Sequence, residues 1–290
     1  MHVELSFELG ALDPQRAEEA CFAAGAAAVT FADAGDDPVL EPLPGELRLW
    51  PATRLSALFV DAGEAPGLCA TLAAAVGLEP GLIRARALPE RVWERVWLEG
   101  FHALRFGERL WVCPRHERVT AAGAVVVSLD PGLAFGTGTH PSTALCLGWL
   151  DGRLERGARV IDYGCGSGVL GLASARLGAA EVHCFDIDPQ ALTATRENAA
   201  ANGVADIVRI YESETDLPRE VDVLLANILS GPLRALAGAF AARVRRGGQV
   251  VLGGLMQHEV AGVTEAYAAC FDIVRYGERE EWVCLCGRRR

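Results

Sequence analysis

Val160-Ile161-Asp162-Tyr163-Gly164-Cys165-Gly166-Ser167-Gly168 is the stretch that decides the fold. An apolar strand runs without a break into a turn that carries three glycines, and Leu170 to Leu177 then continues with helical character. Glycine lacks Cβ and tolerates positive φ, so this turn can bend sharply and let a nucleoside or amino-acid moiety lie against the main chain. The spacing Gly166-x-Gly168-x-x-Gly171 also satisfies the dinucleotide fingerprint, so two cofactor classes remain open at this point. Asp186, in Phe185-Asp186-Ile187-Asp188-Pro189, lies 22 residues after Gly164. An acidic side chain there meets ribose hydroxyls in either class.

Working outward from the turn, strands alternate with helices from Arg159 onward. Strands are expected at Arg159 to Tyr163, Glu181 to Asp186, Ile207 to Glu212, Val221 to Ala226 and Gln249 to Leu252. The intervening helices fall at Leu170 to Leu177, Pro189 to Asn202, Leu233 to Val244 and Val260 to Ala269, and Ile273 to Tyr276 with Trp282 to Cys286 reads as a closing hairpin. That alternation is the signature of a mostly parallel sheet covered on both faces. The N-terminal third follows a different order: strand Val3 to Leu9, helix Asp13 to Gly25 with Asp13 as N-cap, and strand Ala28 to Asp33. A Pro- and acid-rich loop at Gly35 to Gly45 comes next, followed by strand Ser56 to Asp61, helix Pro66 to Gly77 and strand Arg84 to Leu88. This βαββαβ order is that of a ferredoxin-like α+β module. We divide the chain into that module at 1–90, a linker helix and connecting segment at 91–120 with Trp93 and Trp97 at i, i+4 spacing, and the α/β domain at 121–290.

Composition narrows the function classes. The formal net charge is −11, and all 27 cations are arginine, because the sequence has no lysine. Such a balance disfavours general attraction to nucleic-acid phosphates and favours a cationic partner. Nine cysteines without any C-x-x-C spacing fit dispersed reduced thiols of a cytoplasmic protein better than a metal site or disulfide framework. No apolar run reaches the roughly 20 residues of a membrane span, and the first residues lack a signal-peptide pattern.

Three further positions draw attention. Asp162, two residues before the first glycine, suits the amino-acid end of a cofactor better than a pyrophosphate, and the glycine turn comes only after half the chain, late for a dinucleotide enzyme. Asn227 ends the apolar strand Leu224-Leu225-Ala226 at the edge where open α/β sheets collect ligands. Upstream, Asp130-Pro-Gly-Leu-Ala-Phe-Gly-Thr-Gly-Thr-His-Pro-Ser-Thr143 has the glycines and threonines of a cover over a bound cofactor, with Thr143 near a helix start and His140 a candidate base or a structural histidine.

The segments LDPGLAFGTGTHPST, VIDYGCGSGVLGLAS, FDIDPQAL and ANILSGPL, in this order, resemble the ribosomal protein L11 methyltransferase family over nearly the full chain. The D/N-P-P-Y arrangement of other amine methyltransferases is absent, since Asn227 is followed by Ile228-Leu229. The resemblance implies a class I (Rossmann-like) domain dependent on S-adenosylmethionine, preceded by a ferredoxin-like substrate-recognition domain. It also implies methylation of amino groups, lysine side chains and the N-terminal amine among them, on large-subunit ribosomal protein L11. Carried over by motif, Thr143, Gly164, Asp186 and Asn227 line the cofactor site, with Asp186 on the ribose and Asn227 facing methyl transfer; Asp162 and Gly166 complete the expected set. An RNA methyltransferase and an NAD-dependent oxidoreductase are the alternatives. No metal, no membrane contact and no direct nucleic-acid contact are expected.

Overall fold

The computed structural model describes residues 2–35, 49–60, 65–88, 102–129 and 138–290. The chain folds as two units, Met1–Val96 and Trp97–Arg290. The expected linker helix lies outside the described residues for nearly all its length, as do most of the acidic loop after Gly35 and Asp130 to Thr137 of the glycine-threonine segment.

The first unit runs β1 (His2–Glu8), α1 (Pro14–Ala23), β2 (Ala28–Asp33), β3 (Thr53–Phe59), α2 (Ala65–Val76) and β4 (Arg84–Leu88). Its sheet has the order β2-β3-β1-β4, with all three pairings antiparallel. Period-two alternation sends Val3, Leu5 and Phe7 of β1 and Leu55, Ala57 and Phe59 of β3 to one face, where they pack with Ala17, Cys21, Leu72 and Ala73 of the helices. Asp13 caps α1 by accepting a hydrogen bond from the Arg16 amide at 2.9 Å, and Pro14 takes the first turn, where a missing N–H costs nothing.

The second unit holds two sheets. A small one is made of β5 (Leu104–Phe106), β6 (Leu110–Cys113) and β7 (Val125–Ser128), the first two within the stretch 91–120 expected as linker and connecting segment and the third at the start of the expected α/β domain. Its strands are too short for a periodic pattern to stand out, and Asp151 fixes their turn by accepting from the amides of Glu108 at 2.5 Å and Arg109 at 3.1 Å. The large sheet is built from β8 (Arg159–Tyr163), β9 (Glu181–Phe185), β10 (Val208–Tyr211), β11 (Val221–Asn227), β12 (Val244–Met256), β13 (Phe271–Arg279) and β14 (Trp282–Arg289) in the order β10-β9-β8-β11-β12-β14-β13. The first five in that order are parallel, and β14 joins β12 antiparallel.

Helices α3 (Pro141–Arg153), α4 (Val169–Leu177) and α5 (Pro189–Ala201) share a core with one face of this sheet; α6 (Ser230–Arg243) and α7 (Val260–Tyr267) share a second core with the other. Successive residues of β11 therefore alternate between the cores, Val223 and Leu225 in one and Leu224 and Ala226 in the other. A strand buried on both sides has no polar face, which is why Val221 to Ala226 is so apolar apart from Asp222. The order of strands reverses between β8 and β11. In open α/β sheets such a switch point is where ligands bind, in the crevice outside the carboxyl ends of the two strands.

Candidate functional site at the carboxyl edge of the sheet

The glycine turn leaves β8 into this crevice. Gly164, Gly166 and Gly168 have φ of 74°, 55° and 82°, a left-handed run that other residues adopt only at a cost. The turn is tied down on several sides. The amides of Gly164 and Cys165 both donate to the Phe185 carbonyl, at 2.8 and 3.0 Å, while the carbonyls of Gly166 and Ser167 accept from Thr195 Oγ1 and Asn198 Nδ2 of α5, each at 3.0 Å. Room is scarce as well: a Cβ on Gly168 would lie 2.8 Å from Thr195 Cγ2, and one on Gly164 would overlap Ile228 Cγ2. Gly171 closes the helix against the sheet, since a Cβ there would reach 2.7 Å from Cys184 Sγ.

Asp186 stands just past β9 beside this turn. Its Oδ2 accepts from the Gly166 amide at 2.9 Å and its Oδ1 from the Asp188 amide at 3.0 Å. Each carboxylate oxygen retains a second lone pair, so the fixed group can still accept from a pair of hydroxyls. Asp162 is buried under the turn, with Oδ2 accepting from the Gly171 amide at 2.7 Å. Burial pushes its carboxyl up to about 7; the Gly171 hydrogen bond opposes this, and the nearby Asp186 charge adds to it. A cationic group entering beside the turn would favour the ionised form.

Asn227 ends β11 across the crevice. Its Nδ2 donates to Thr143 Oγ1 of α3 at 3.0 Å, and Thr143 itself is only 1% exposed. The Asn227 Oδ1 is buried and has no hydrogen-bond partner among the described residues. An acceptor left without a donor in the interior costs about 1–3 kcal/mol, so a site that leaves one in place has a use for it. The backbone around Asn227 is closely packed: Cβ atoms on Gly253 would lie 2.6 Å from Asn227 Oδ1 and 2.7 Å from Cys146 Sγ, and one on Gly254 would run into the Ile228 carbonyl. Glu259 holds the loop after Asn227, accepting from the Ser230 hydroxyl on one oxygen and from the Met256 amide at 2.8 Å on the other.

His140 takes the structural part of its two readings. It is the N-cap of α3, its Nδ1 accepts from the Ser142 amide at 3.3 Å, and its ring meets Trp282 edge-on with centroids 4.5 Å apart. Burial lowers its pKa, opposed by Glu280, so the ring is neutral at pH 7.

The structure therefore brings Gly164, Gly166, Asp162 and Asp186 together on one side of the switch point and joins Asn227 to Thr143 on the other. Sequence reasoning missed Thr195, Ile228, Gly253 and Glu259, which shape or brace the same crevice. Their partners lie 29 to 64 residues away in several cases, and no local motif announces such contacts. Among the described residues no group of His, Cys, Asp and Glu side chains could hold a metal, and no helix is long and apolar enough to cross a membrane.

The model of the ribosomal protein L11 methyltransferase family (PrmA) matches residues 2–290. The chain belongs to this family. The ribosomal protein L11 methyltransferase of Methylococcus capsulatus is 50% identical over 278 residues, covering 94% of each chain, and that of Salmonella heidelberg is 43% identical over 291 residues, covering 99% of each. A crystal structure of a ribosomal protein L11 methylase from Lactobacillus delbrueckii subsp. bulgaricus superposes with a TM-score of 0.61 at 30% identity, covering 66% of this chain and all of that one. The catalytic unit of this family member is thus an S-adenosylmethionine-dependent methyltransferase, and the dinucleotide reading of Gly166-x-Gly168-x-x-Gly171 is set aside. Its third glycine serves helix–sheet packing in either cofactor class, so that fingerprint does not discriminate between them.

Proposed function

We propose that this methyltransferase places methyl groups on amino groups of ribosomal protein L11, lysine side chains and the N-terminal amine among them. The substrate follows from the family name shared by relatives that match the chain almost end to end. The chemistry follows from one observation, the buried and unpartnered Oδ1 of Asn227, whose amide nitrogen is fixed by its hydrogen bond to Thr143. That oxygen suits a hydrogen bond from an incoming amine N–H.

When bound, S-adenosylmethionine supplies an electrophilic methyl group. Asp186 would accept the ribose hydroxyls, the glycine turn offers a main chain free of side chains, and Asp162 supports the turn from below, where its carboxylate would answer a nearby positive charge. On the opposite side, Asn227 would accept a hydrogen bond from the incoming amine and so orient the nucleophile. Holding both reactants in that geometry accounts for most of the rate, since position rather than acid–base strength limits such a transfer. A lysine must first lose a proton to water, which a dry crevice and a neighbouring cation both promote. The −11 net charge fits a basic protein substrate and disfavours the RNA alternative.

In the same reading the ferredoxin-like unit recognises the substrate, and the setting is the cytoplasm, where nine free thiols stay reduced. The deciding experiment is incubation of the enzyme with methyl-labelled cofactor, purified L11 and purified ribosomal RNA. Label on L11 is expected; label confined to RNA, or none on L11, removes the proposal.

A further inference from the structure

The opposite edge of the large sheet, about 16 Å from the glycine turn along five residues of β8, contains a second concavity. A cleft of about 430 Å³ opens there between the end of α3, the starts of β8 and β11, the bend in β12 and the end of β14. Four guanidinium groups line it, those of Arg153, Arg156, Arg245 and Arg288, against two carboxylates, Glu155 and Asp222.

Asp222 is already engaged. Its Oδ1 accepts from Arg245 Nε at 2.6 Å and its Oδ2 from the Arg159 amide at 2.7 Å. The other three arginines have no carboxylate partner among the described residues: Arg153 lies over the Tyr276 ring at 5.4 Å, Arg288 Nε donates to the Gly247 carbonyl at 3.2 Å, and Arg156 makes no hydrogen bond or ion pair. Glycines keep the floor open. A Cβ on Gly157 would meet nothing within 4 Å, and one on Gly247 would lie 3.6 Å from Arg288 Nη2 and 3.7 Å from Arg245 Nη1, so two guanidinium groups converge on the same bare stretch of backbone.

In a chain with 38 acidic residues and 27 basic ones, most exposed arginines can find a carboxylate nearby. Here four guanidinium groups face one concavity against two carboxylates, an excess of positive charge that an anion relieves. Guanidinium forks match the oxygens of phosphate in paired hydrogen bonds, and the cleft has the volume of a site for a nucleotide-sized molecule. We propose that this cleft is a second ligand site, for the pyrophosphate or polyphosphate group of a small molecule. A nucleic-acid strand fits it less well, because a polymer needs an extended basic track and the surrounding net charge is negative.

The test uses the full-length enzyme and titration calorimetry with inorganic pyrophosphate, ATP and a single-stranded RNA 12-mer as separate probes, each at low and moderate salt. Pyrophosphate and ATP are expected to bind, more weakly as salt rises, and R156Q/R288Q is expected to raise both Kd values at least tenfold. S-adenosylmethionine affinity, methylation of L11 and the unfolding midpoint of that variant should match those of the parent, since neither residue touches the crevice at the carboxyl edge. Absence of pyrophosphate binding, binding that R156Q/R288Q leaves unchanged, or binding of the RNA alone would each overturn the assignment. None of these results bears on the methyl acceptor, so the two proposals fail separately.

Discussion

Replacing Gly164 by alanine tests how tightly the glycine turn is fitted to the loop that follows Asn227. Two separate costs arise. A φ of 74° is left-handed, which costs an L-residue about 1–2 kcal/mol. The new Cβ would also fall well inside 3.0 Å of Ile228 Cγ2, and overpacking of this kind costs about 1–3 kcal/mol as the neighbour is forced aside. Gly164→Ala should therefore destabilise the free protein by about 2–5 kcal/mol in equilibrium urea unfolding. Ile228→Ala removes the colliding methyl, so in that background only the backbone cost remains. The coupling between the two substitutions should equal the collision part, about 1–3 kcal/mol. Calorimetric titration with S-adenosylmethionine gives a second readout: Gly164→Ala pushes Ile228, the neighbour of Asn227, out of place and weakens binding, while the double variant recovers part of the loss. If the two substitutions add to within about 0.5 kcal/mol, Ile228 is not what limits the space at Gly164 and the fitted-turn account is wrong.

Asn227→Ala should lower kcat by about ten- to a hundredfold, equivalent to roughly 1.4–2.8 kcal/mol of lost orientation, with the cofactor Kd little changed; a normal kcat would remove Asn227 from the amine site. Thr143→Val leaves the Asn227 amide without its acceptor and should reduce kcat in the same direction, whereas Thr143→Ser restores it, and equal rates for the two would show that the hydroxyl is not used. Because the folded-state pKa of Asp162 is raised to about 7 from 3.8, its contribution to stability is full below the lower value and is lost as pH rises through the higher one. The cofactor-free protein should thus unfold at lower urea at pH 8 than at pH 5.5, and Asp162→Asn, which keeps an acceptor for the Gly171 amide, should shrink that difference; an unchanged difference assigns it to other groups. Glu259→Gln turns one of two acceptors into a donor facing the Ser230 hydroxyl or the Met256 amide, so kcat should fall several-fold with only a small loss of stability, measured by initial rates beside thermal unfolding.

The amino-acid sequence determined by itself what depends on local order. The period-two runs of β1 and β3, the Asp13 cap with Pro14 behind it, and the strand β8 that leads into the glycine turn are all set by neighbours within a few residues, so they can be read from a string. The placement of Gly164, Asp186 and Asn227 at one edge was legible for a related reason: each sits at the end of a strand, and parallel strands deliver their carboxyl ends to one edge. Tertiary structure alone decided how these ends are braced. Thr143 meets Asn227 across 84 residues, Ile228 occupies the space that Gly164 leaves, and Glu259 reaches back 29 residues to Ser230. The arginine cleft is of the same kind, assembled from the end of one helix and from four strands that span residues 153 to 288. Side-chain contacts of this sort depend on strand order and helix placement, which the whole core fixes at once, and no short window of residues encodes them.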